Sequence, residues 1–358
     1  MSTTKDVFKA SHSVASHANL CCLVLLGTFL LVVAIIGVSD AIALTSISIN
    51  EKAIKEVMNG TRTEANASWW GFNEADSTDA LQAAIRSKAK KIIVPNMGKP
   101  WVVEPIFLES DQEIIFERGV VVAAKHGAFL GKNDSLFTLT NKINISLKGY
   151  GAEFMMKKQD YTQRPYEKAE WRHCISIAGS QNIKIYGLRL ANSGGDGIYI
   201  GRGSGKASTP YSENIHIKDV ICDNNYRQGI SIISALNLLI ENSIFQNTAG
   251  TPPQAGIDFE PNRPDEVLKT CKVKNCVIKD NSGYGIGMYI GTLNDKSKII
   301  SIEIEGCQIL GNKRGAIGIG DKRRDASGSY RGRILIKNCK MDGKVAQSNT
   351  QMLDVKVE

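Results

Sequence analysis

A short pattern of alternating apolar and polar residues recurs along the chain from about residue 140 onward. Alternation with a period of two places one face of a strand in a core and the other face outside it. The starting positions of these segments lie 23 to 38 residues apart, which is the interval of a solenoid repeat. The segments NISLKG, NIKIYG, NIHIKD, NLLIEN, TCKVKN, SIEIEG and RILIKN begin at Asn144, Asn182, Asn214, Asn237, Thr270, Ser301 and Arg333.

A second strand follows several of these segments, as GIYI, GISI, GIDF, GIGM and AIGI. No single coil of this size can bury its apolar face, so the coils are expected to stack into parallel sheets around a shared core. An asparagine recurs between the two strands, where stacked amides can satisfy backbone groups at a bend. These residues are Asn192, Asn224 or Asn225, Asn247, Asn281 and Asn312. The pattern predicts an all-β, parallel β-helix.

The residues before the repeats predict a cap. STDALQAAIRSKA forms a short amphipathic helix with Asp76 or Ser77 as its N-cap, which would cover the open end of the core. KKIIVPNMGKPWVV then reads as a strand, a turn and a strand.

The N-terminus carries an export signal. An apolar run from Leu20 to Val38 follows Lys5 and Lys9 and precedes small residues at Ser39 and Ala41. The run fits a cleaved signal peptide or, at its length, an uncleaved membrane anchor, and either leaves the remaining chain outside the cytoplasm. We therefore expect an export segment in residues 1–45, a cap and first coils in 46–135, and repeats in 136–358.

Composition adds little to this picture. A formal charge of +8 mildly favours an anionic partner. Nucleic acid is a poor candidate, because no basic stretch is interleaved with aromatic residues. Contact with a membrane is expected only through the N-terminal segment, if it stays uncleaved. Cys276, Cys307 and Cys339 recur at one register of the repeat, which favours stacked buried thiols over cross-links.

The stretch from Gly71 to Val122, with DSTDALQAAI…KKIIVP and PIFLESDQEIIFERGVVV, resembles the entry to the β-helix of the pectate-lyase superfamily. The resemblance continues to about Cys339. It implies a right-handed parallel β-helix and a polysaccharide partner. It does not select a reaction, because the superfamily includes hydrolases, lyases, epimerases and phage tailspikes.

Asp258 and Glu260, in QAGIDFEPN, are the strongest candidate for chemistry. Carboxylates two apart on a strand point to the same face about 6.5 to 7 Å apart. Inverting glycosidases separate their acid and base by about 6.5 to 9.5 Å. The pair is therefore predicted to be a catalytic acid and base that project outward into a groove, with a solvated acidic face or a calcium site as the alternatives.

Asp196, in NSGGDGIYIG, resembles the Asn-Thr-Asp-Gly segment of polygalacturonases, whose Asp is catalytic. The polygalacturonase Asp-Asp pair would fall at Arg227 and Gln228, and its Gly-His-Gly near Ala255 and Gly256. Neither motif is present, so that mechanism is not carried over. Arg227 is predicted to bind a carboxylate or sulfate on the sugar, or to act as the base of a lyase.

Three functions follow. The first is an exported glycoside hydrolase on acidic or sulfated polysaccharide, with Asp258 and Glu260 as acid and base and Asp196 and Arg227 assisting, and with no cofactor. The second is a lyase that uses Arg227 as base and calcium on the carboxylates. The third is a carbohydrate-binding or adhesion β-helix without catalysis. Residues expected to contact substrate are His173, Trp171, Tyr199, Gln228, Tyr284 and Tyr289.

Overall fold

A computed structural model describes residues 49–205, 209–320, 331–348 and 353–358. Within those ranges no helix is both long enough and apolar enough to cross a bilayer. The predicted export segment lies outside the described residues.

Within the described residues, two α-helices, two short 3-10 helices and 27 strands follow one another. The α-helices are α1 (Glu51–Met58) and α2 (Thr78–Arg86). The first strands are β1 (Glu64–Asn66), β2 (Lys91–Val94), β3 (Trp101–Val103), β4 (Ile106–Phe107), β5 (Gln112–Phe116), β6 (Val121–Ala124), β7 (Phe137–Thr140), β8 (Ile143–Met155), β9 (Ile175–Ala178), β10 (Gln181–Ala191) and β11 (Asp196–Gly201).

The later strands form regular coils of three. They are β12 (Ser212–Lys218), β13 (Ile221–Asp223), β14 (Gln228–Ile232), β15 (Ala235–Glu241), β16 (Ile244–Gln246), β17 (Ile257–Phe259), β18 (Leu268–Lys274), β19 (Val277–Lys279), β20 (Ile286–Tyr289), β21 (Ile300–Glu305), β22 (Gln308–Leu310), β23 (Ile317–Gly320), β24 (Gly332–Lys337), β25 (Lys340–Met341), β26 (Ala346–Ser348) and β27 (Leu353–Val357).

All strand pairs between coils are parallel, so each strand lies on its counterpart in the next coil. Eighteen strands form one large sheet, and nine strands, β4, β7, β9, β11, β14, β17, β20, β23 and β26, form the other. The predicted parallel β-helix is confirmed, including every repeat segment named from the sequence.

Isoleucine stacks fill the core between the sheets. Ile198, Ile230, Ile257 and Ile286 are paired on successive strands, and each has 0% exposure. The predicted inward direction of Ile230 and Ile257 is therefore confirmed. Burial of an isoleucine side chain contributes about 1.5 to 3 kcal/mol, so the stack is a principal source of stability.

The predicted capping helix is α2, and it also closes a sheet edge. Gln82 of α2 donates from Nε2 to the backbone oxygen of Phe107 and accepts the Phe107 N–H, at 2.8 and 2.9 Å. These bonds satisfy β4, the edge strand of the nine-stranded sheet, which would otherwise present unpaired groups. Oδ1 of Asp76 accepts the N–H of Thr78 at 3.0 Å, whereas Ser77 makes no capping bond with its side chain.

The asparagines predicted to form one ladder belong to two. Asn281 and Asn312 are buried, and Nδ2 of Asn281 donates to Oδ1 of Asn312 at 2.8 Å. Asn224 donates in the same way to Asn192 at 2.8 Å, in a more exposed row beside it. The predicted stacking of asparagines is confirmed. The prediction that all of them belong to one row is wrong, because adjacent positions in the turn face opposite sides.

A further ladder marks the starts of strands on the large sheet. Its members have φ between 55° and 63°, a conformation that Asn and Asp tolerate better than other residues with a side chain. Each asparagine donates from Nδ2 to the side chain one coil earlier, at 2.7 to 2.9 Å. In order, the residues are Asp111, Asn144, Asn182, Asn214 and Asn237.

The cysteines within the described residues are free. Cys276 and Cys307 are buried and Cys339 partly so. Each Sγ lies near the carbonyl two residues earlier, at 3.2 to 3.4 Å. This agrees with the prediction of stacked thiols.

Candidate functional site

The outward residues of the nine-stranded sheet form one continuous column. Each is the direct partner of the next on an adjacent parallel strand, so neighbours are about 4.8 Å apart. The column changes from an aromatic end through polar residues to glycines. It runs Phe107, Thr138, Ser176, Tyr199, Ser231, Asp258, Gly287, Gly318 and Ala346.

Arg227 lies beside the centre of this column and gathers carboxylates from three other segments. Its Nη2 donates to Oε2 of Glu260 at 2.5 Å. Its Nε is 3.5 Å from Oε1 of Glu170, and its Nη1 is 3.9 Å from Oδ1 of Asp196. Nη1 also donates to Oγ of Ser231 at 3.3 Å. One cation therefore faces three acidic groups.

The protonation of Arg227 follows from these contacts. Burial acts to lower its pKa, but the charges of Asp196 and Glu260 outweigh burial and hold the pKa above its ordinary value. The guanidinium group is therefore charged at any physiological pH.

Asp196 is the first residue of β11 and has 0% exposure. Burial raises the pKa of its carboxyl group to about 7, while the charge of Arg227 and the Ser231 hydroxyl act in the opposite direction. Burial therefore favours the protonated form of this carboxyl group, which is the form that a general acid uses.

His173, expected from the sequence to contact substrate, is buried and packed directly against Asp196. Its Nδ1 accepts the backbone N–H of Asp196 at 3.0 Å, and its exposure is 5%. Burial lowers the pKa of His173 to about 3, and the charge of Arg227 acts in the same direction. The ring is neutral and holds the Asp196 backbone in place.

The predicted pair Asp258 and Glu260 is divided by its surroundings. Asp258 has the outward register, yet its exposure is 0%, and its Oδ2 accepts Nε2 of Gln228 at 2.7 Å. The predicted outward direction of Asp258 is therefore confirmed, but neighbouring groups cover the side chain. Glu260 follows the end of β17 and keeps 14% of its side chain exposed.

Gln228 is not available to a substrate, contrary to the prediction from sequence. It has 0% exposure. Its Nε2 is used by Asp258, and its Oε1 accepts the backbone N–H of Ala255 at 2.7 Å. Burial of an amide requires that both ends be paired, which explains why the side chain joins two coils instead of facing the groove.

The aromatic candidates border the column. Tyr199 stacks on His173 with ring centroids 5.0 Å apart. Trp171 is 44% exposed and directly follows Glu170, which contacts Arg227. Burial raises the pKa of Tyr289 to about 12, with a further contribution from the charge of Asp258. The site therefore has aromatic surfaces on both sides of the Arg227 cluster.

Glu170 and Ser231 are members of the site that sequence reasoning did not select. The strand pattern of Ser231 predicts only that it faces outward. Glu170 lies in a loop before β9, where no repeat register predicts its position. Its one sequence signal is adjacency to Trp171 in the segment EWRHC.

Within the described ranges, no group of three or more His, Cys, Asp or Glu side chains is arranged to hold a metal ion. The carboxylates around Arg227 converge on the guanidinium group instead.

A family model described as right handed beta helix region matches residues 167–329. No curated protein matches the chain. Together with the parallel coils, the family match confirms the fold predicted from sequence, a right-handed parallel β-helix with a short capping helix.

Solved structures with the same fold come from several sources. A tailspike protein, gp49, from Acinetobacter baumannii bacteriophage Fri1, a capsular polysaccharide depolymerase, is 14% identical with a TM-score of 0.51, over 78% of this chain and 48% of its own. The pre-mature bacteriophage phi29 gene product 12 is 18% identical with a TM-score of 0.52, over 76% of this chain and 36% of its own.

A third similar structure is a 1,3-α-1,4-β-D-galactose-4-sulfate-3,6-anhydro-D-galactose-2-sulfate 4 galactohydrolase. It is 16% identical with a TM-score of 0.52, over 76% of this chain and 69% of its own. This chain thus spans about half the length of the tailspike and about a third of the phi29 protein. Similarity at these identities shows the fold.

Proposed function

We propose that this protein is a glycoside hydrolase that acts on a polysaccharide lying along the outward column of the nine-stranded sheet. A column of paired residues at each coil provides a linear surface on which a linear polymer can lie. Trp171 and Tyr199 offer faces of the kind on which sugar rings pack. The names of the similar tailspike and galactohydrolase agree with a polysaccharide substrate.

The observation that carries the proposal is that two carboxyl groups, those of Asp196 and Glu260, lie against Arg227 but differ in burial. Asp196, with a pKa raised to about 7, is the general acid. Glu260, whose Oε2 accepts a hydrogen bond from Nη2 of Arg227 at 2.5 Å, is the base or stabilises positive charge. Glycosidases depend on two carboxyl groups whose surroundings separate their protonation states.

This assignment differs from the pair expected from sequence spacing. Asp258 becomes a supporting residue, because it is buried and bonded to Gln228. Asp196 also has no exposed surface. A sugar can reach it only if a neighbouring side chain shifts, and Arg227, in contact with Asp196, is the candidate for that movement.

A lyase is less well supported. Arg227 would have to lose its proton to act as the base, yet the carboxylates around it hold its pKa above the ordinary value. Loss of that proton would also leave several acidic groups without their counter-charge, at a cost that rises with burial.

The experiment is a polysaccharide panel incubated with the full chain and scored for both reducing ends and ultraviolet absorbance of unsaturated products. We expect reducing ends without absorbance. Asp196→Asn and Glu260→Gln should each lower turnover by roughly 10² to 10⁴.

The matched control is Glu303→Gln. Glu303 forms ion pairs with Lys272 and Lys337 on the large sheet, away from the column, and its variant should keep full activity. Unsaturated products would select the lyase. Binding without turnover, unchanged in the Asp196→Asn/Glu260→Gln double variant, would select a non-catalytic carbohydrate-binding protein.

We further infer that the apolar run from Leu20 to Val38 exports the β-helix, as a cleaved signal or as an anchor. Cell fractionation and N-terminal sequencing of the recovered chain test this. A full-length chain in the cytoplasm would contradict it.

A further inference from the structure

A second surface lies on the nine-stranded sheet, beyond the Arg227 cluster. It is a pocket of about 230 Å³ that begins at Tyr289, close to Asp258, and extends across β23 and β26. Side chains and backbone that define it come from Tyr284, Tyr289, Arg314, Gly318, Gln347 and Ser348. None of Arg314, Gln347 and Ser348 belongs to the proposed acid and base machinery.

Two glycines in the outward column create this pocket. A Cβ atom on Gly318 would lie 2.6 to 2.8 Å from ring carbons of Tyr284. A Cβ on Gly287 would lie 3.0 Å from Cε2 of Tyr289. The tyrosine rings can cover the sheet only because these two positions lack side chains. The result is an aromatic floor of the kind that packs against sugar rings.

Arg314 gives the pocket a positive charge. The carbon at the centre of its guanidinium group lies 4.9 Å from the ring centroid of Tyr284. A guanidinium group held against an aromatic face can still use its N–H groups to bind an oxyanion with two hydrogen bonds. Among the described residues, no carboxylate forms an ion pair with Arg314.

The charge around Arg227 is opposite. That arginine is engaged by Glu260 and Glu170, and Asp196 lies 3.9 Å from it. A negatively charged group on a sugar bound beside Arg227 would lie near these acidic side chains, and Arg227 already balances their charge. These two arginines therefore differ in their surroundings: among the described residues, carboxylates surround Arg227, whereas none is paired with Arg314.

We propose that the Tyr284–Arg314 pocket binds a sugar bearing a carboxylate or sulfate group, so that the substrate carries its charge on a residue away from the cleaved bond. Gly318 lies two strand positions from Asp258 in the column, which corresponds to about 9.6 Å. This inference refines the proposed function and rests on it only for the position of the cleaved bond.

The test measures binding by titration calorimetry, using the full chain with Glu260→Gln so that turnover does not interfere. Three probes are used, all built from sugars with the galactose ring configuration: an oligogalacturonate, a sulfated galactan oligosaccharide and a neutral galactan oligosaccharide of the same linkage as the sulfated one. We compare this parent protein with its Arg314→Gln variant, and use Arg333→Gln as control. Arg333 is a half-exposed arginine on the large sheet.

We expect Arg314→Gln to weaken binding of one or both charged probes by roughly 10- to 100-fold, the loss of a charged hydrogen-bonded contact. The neutral probe should bind equally to both proteins, and Arg333→Gln should change nothing. The sulfated and uronate arms identify which oxyanion is preferred. Tyr284→Ala should weaken all three probes.

Equal binding of charged probes by the parent protein and the Arg314→Gln variant would overturn the proposal, as would failure of the parent protein to bind any of the three. A panel with no hydrolysis, combined with Arg314-dependent binding of a charged probe, would reject the hydrolase and leave the pocket standing. Hydrolysis of charged polymers that is unchanged in the Arg314→Gln variant would reject the pocket and leave the hydrolase standing.

Discussion

Nδ1 of His173 accepts the backbone N–H of Asp196 at 3.0 Å and lies 3.2 Å from Oδ2 of the same residue. A nitrogen that accepts a hydrogen bond carries no proton on that atom, in agreement with the low pKa of this ring. The neighbouring carboxyl group has a raised pKa. Both groups are therefore neutral in weakly acidic solution, although they are an acid and a base in contact.

This pair predicts two opposed effects of pH on stability. Asp196 has a folded pKa of about 7 against an ordinary value of 3.8, so its contribution falls as pH rises from about 4 to 7. His173 has a folded pKa of about 3 against an ordinary value of 6.5, so its contribution falls as pH drops from 6.5 towards 3. In the shared window the two slopes partly cancel.

Asp196→Asn removes the titration of Asp196, so the pH dependence of stability that is due to His173 should become visible. Relative to the parent protein, the variant should gain free energy of unfolding as pH rises from about 4 to 7, and the gain should be constant above that. The limiting slope is about 1.4 kcal/mol per pH unit, measured by urea unfolding.

Glu303→Gln supplies a control of opposite sign. The hydrogen bond from Lys337 is the main reason that the pKa of Glu303 lies below its ordinary value, so this variant should lose stability relative to the parent as pH rises through the range of an ordinary glutamate. A parallel pH dependence of the parent and Asp196→Asn proteins would contradict the burial argument.

Arg227→Met should raise the pKa of Asp196 above about 7, because the guanidinium charge opposes the effect of burial. The variant should also lose roughly 3 to 5 kcal/mol of stability, since it leaves partly buried carboxylates without a cation. Infrared difference spectra between the parent and Asp196→Asn proteins identify the titrating carboxyl band. Arg227→Lys retains the charge and should leave the midpoint near its original value, whereas a lower midpoint in Arg227→Met would disprove the assignment.

Asp258→Ala should cost about 1 to 3 kcal/mol, because it leaves the buried Nε2 of Gln228 without its acceptor. Asp258→Asn preserves an oxygen acceptor and should cost less. The same Asn variant should retain measurable turnover, in contrast to Glu260→Gln. Thermal and urea unfolding, with rates on a hydrolysed polysaccharide, separate the two residues. Equal rate losses in Asp258→Asn and Glu260→Gln would instead support the assignment of these two residues as the catalytic acid and base, as expected from the sequence.

Ile230→Ala and Ile257→Ala should each cost about 2 to 5 kcal/mol by removing buried methyl groups and leaving a cavity. Ile299, which is 60% exposed, is the matched control, and its alanine variant should stay within about 0.5 kcal/mol of the parent. Near-neutral effects at both buried sites would show that the coils tolerate voids in the stack.

The sequence was sufficient for the fold because period-two alternation and the coil interval are local properties. Ile230 and Ile257 could be assigned inward from their own strands. The environment of a polar residue, by contrast, depends on side chains from other coils, which its own strand does not reveal. Asp258 and Glu260 look equivalent in QAGIDFEPN, but Asp258 is buried and bonded to Gln228 of the preceding coil, whereas Glu260 retains some exposed surface. Glu170 reaches Arg227 from a loop outside the repeat, so no register could place it.

The strand-start ladder has a consequence for how such a chain can grow. Each asparagine donates a hydrogen bond from its amide group to the residue one coil closer to the N-terminus. The row begins at Asp111, whose carboxylate accepts hydrogen bonds but cannot donate one to an earlier coil. Insertion of a duplicated coil between Asn144 and Asn237 preserves every donor and acceptor in the row. Insertion before Asp111 would place a carboxylate against another acceptor. The direction of these hydrogen bonds therefore permits insertion of coils in the middle of the row but not before its first residue. Duplication of a coil can lengthen the β-helix without disturbing its cap.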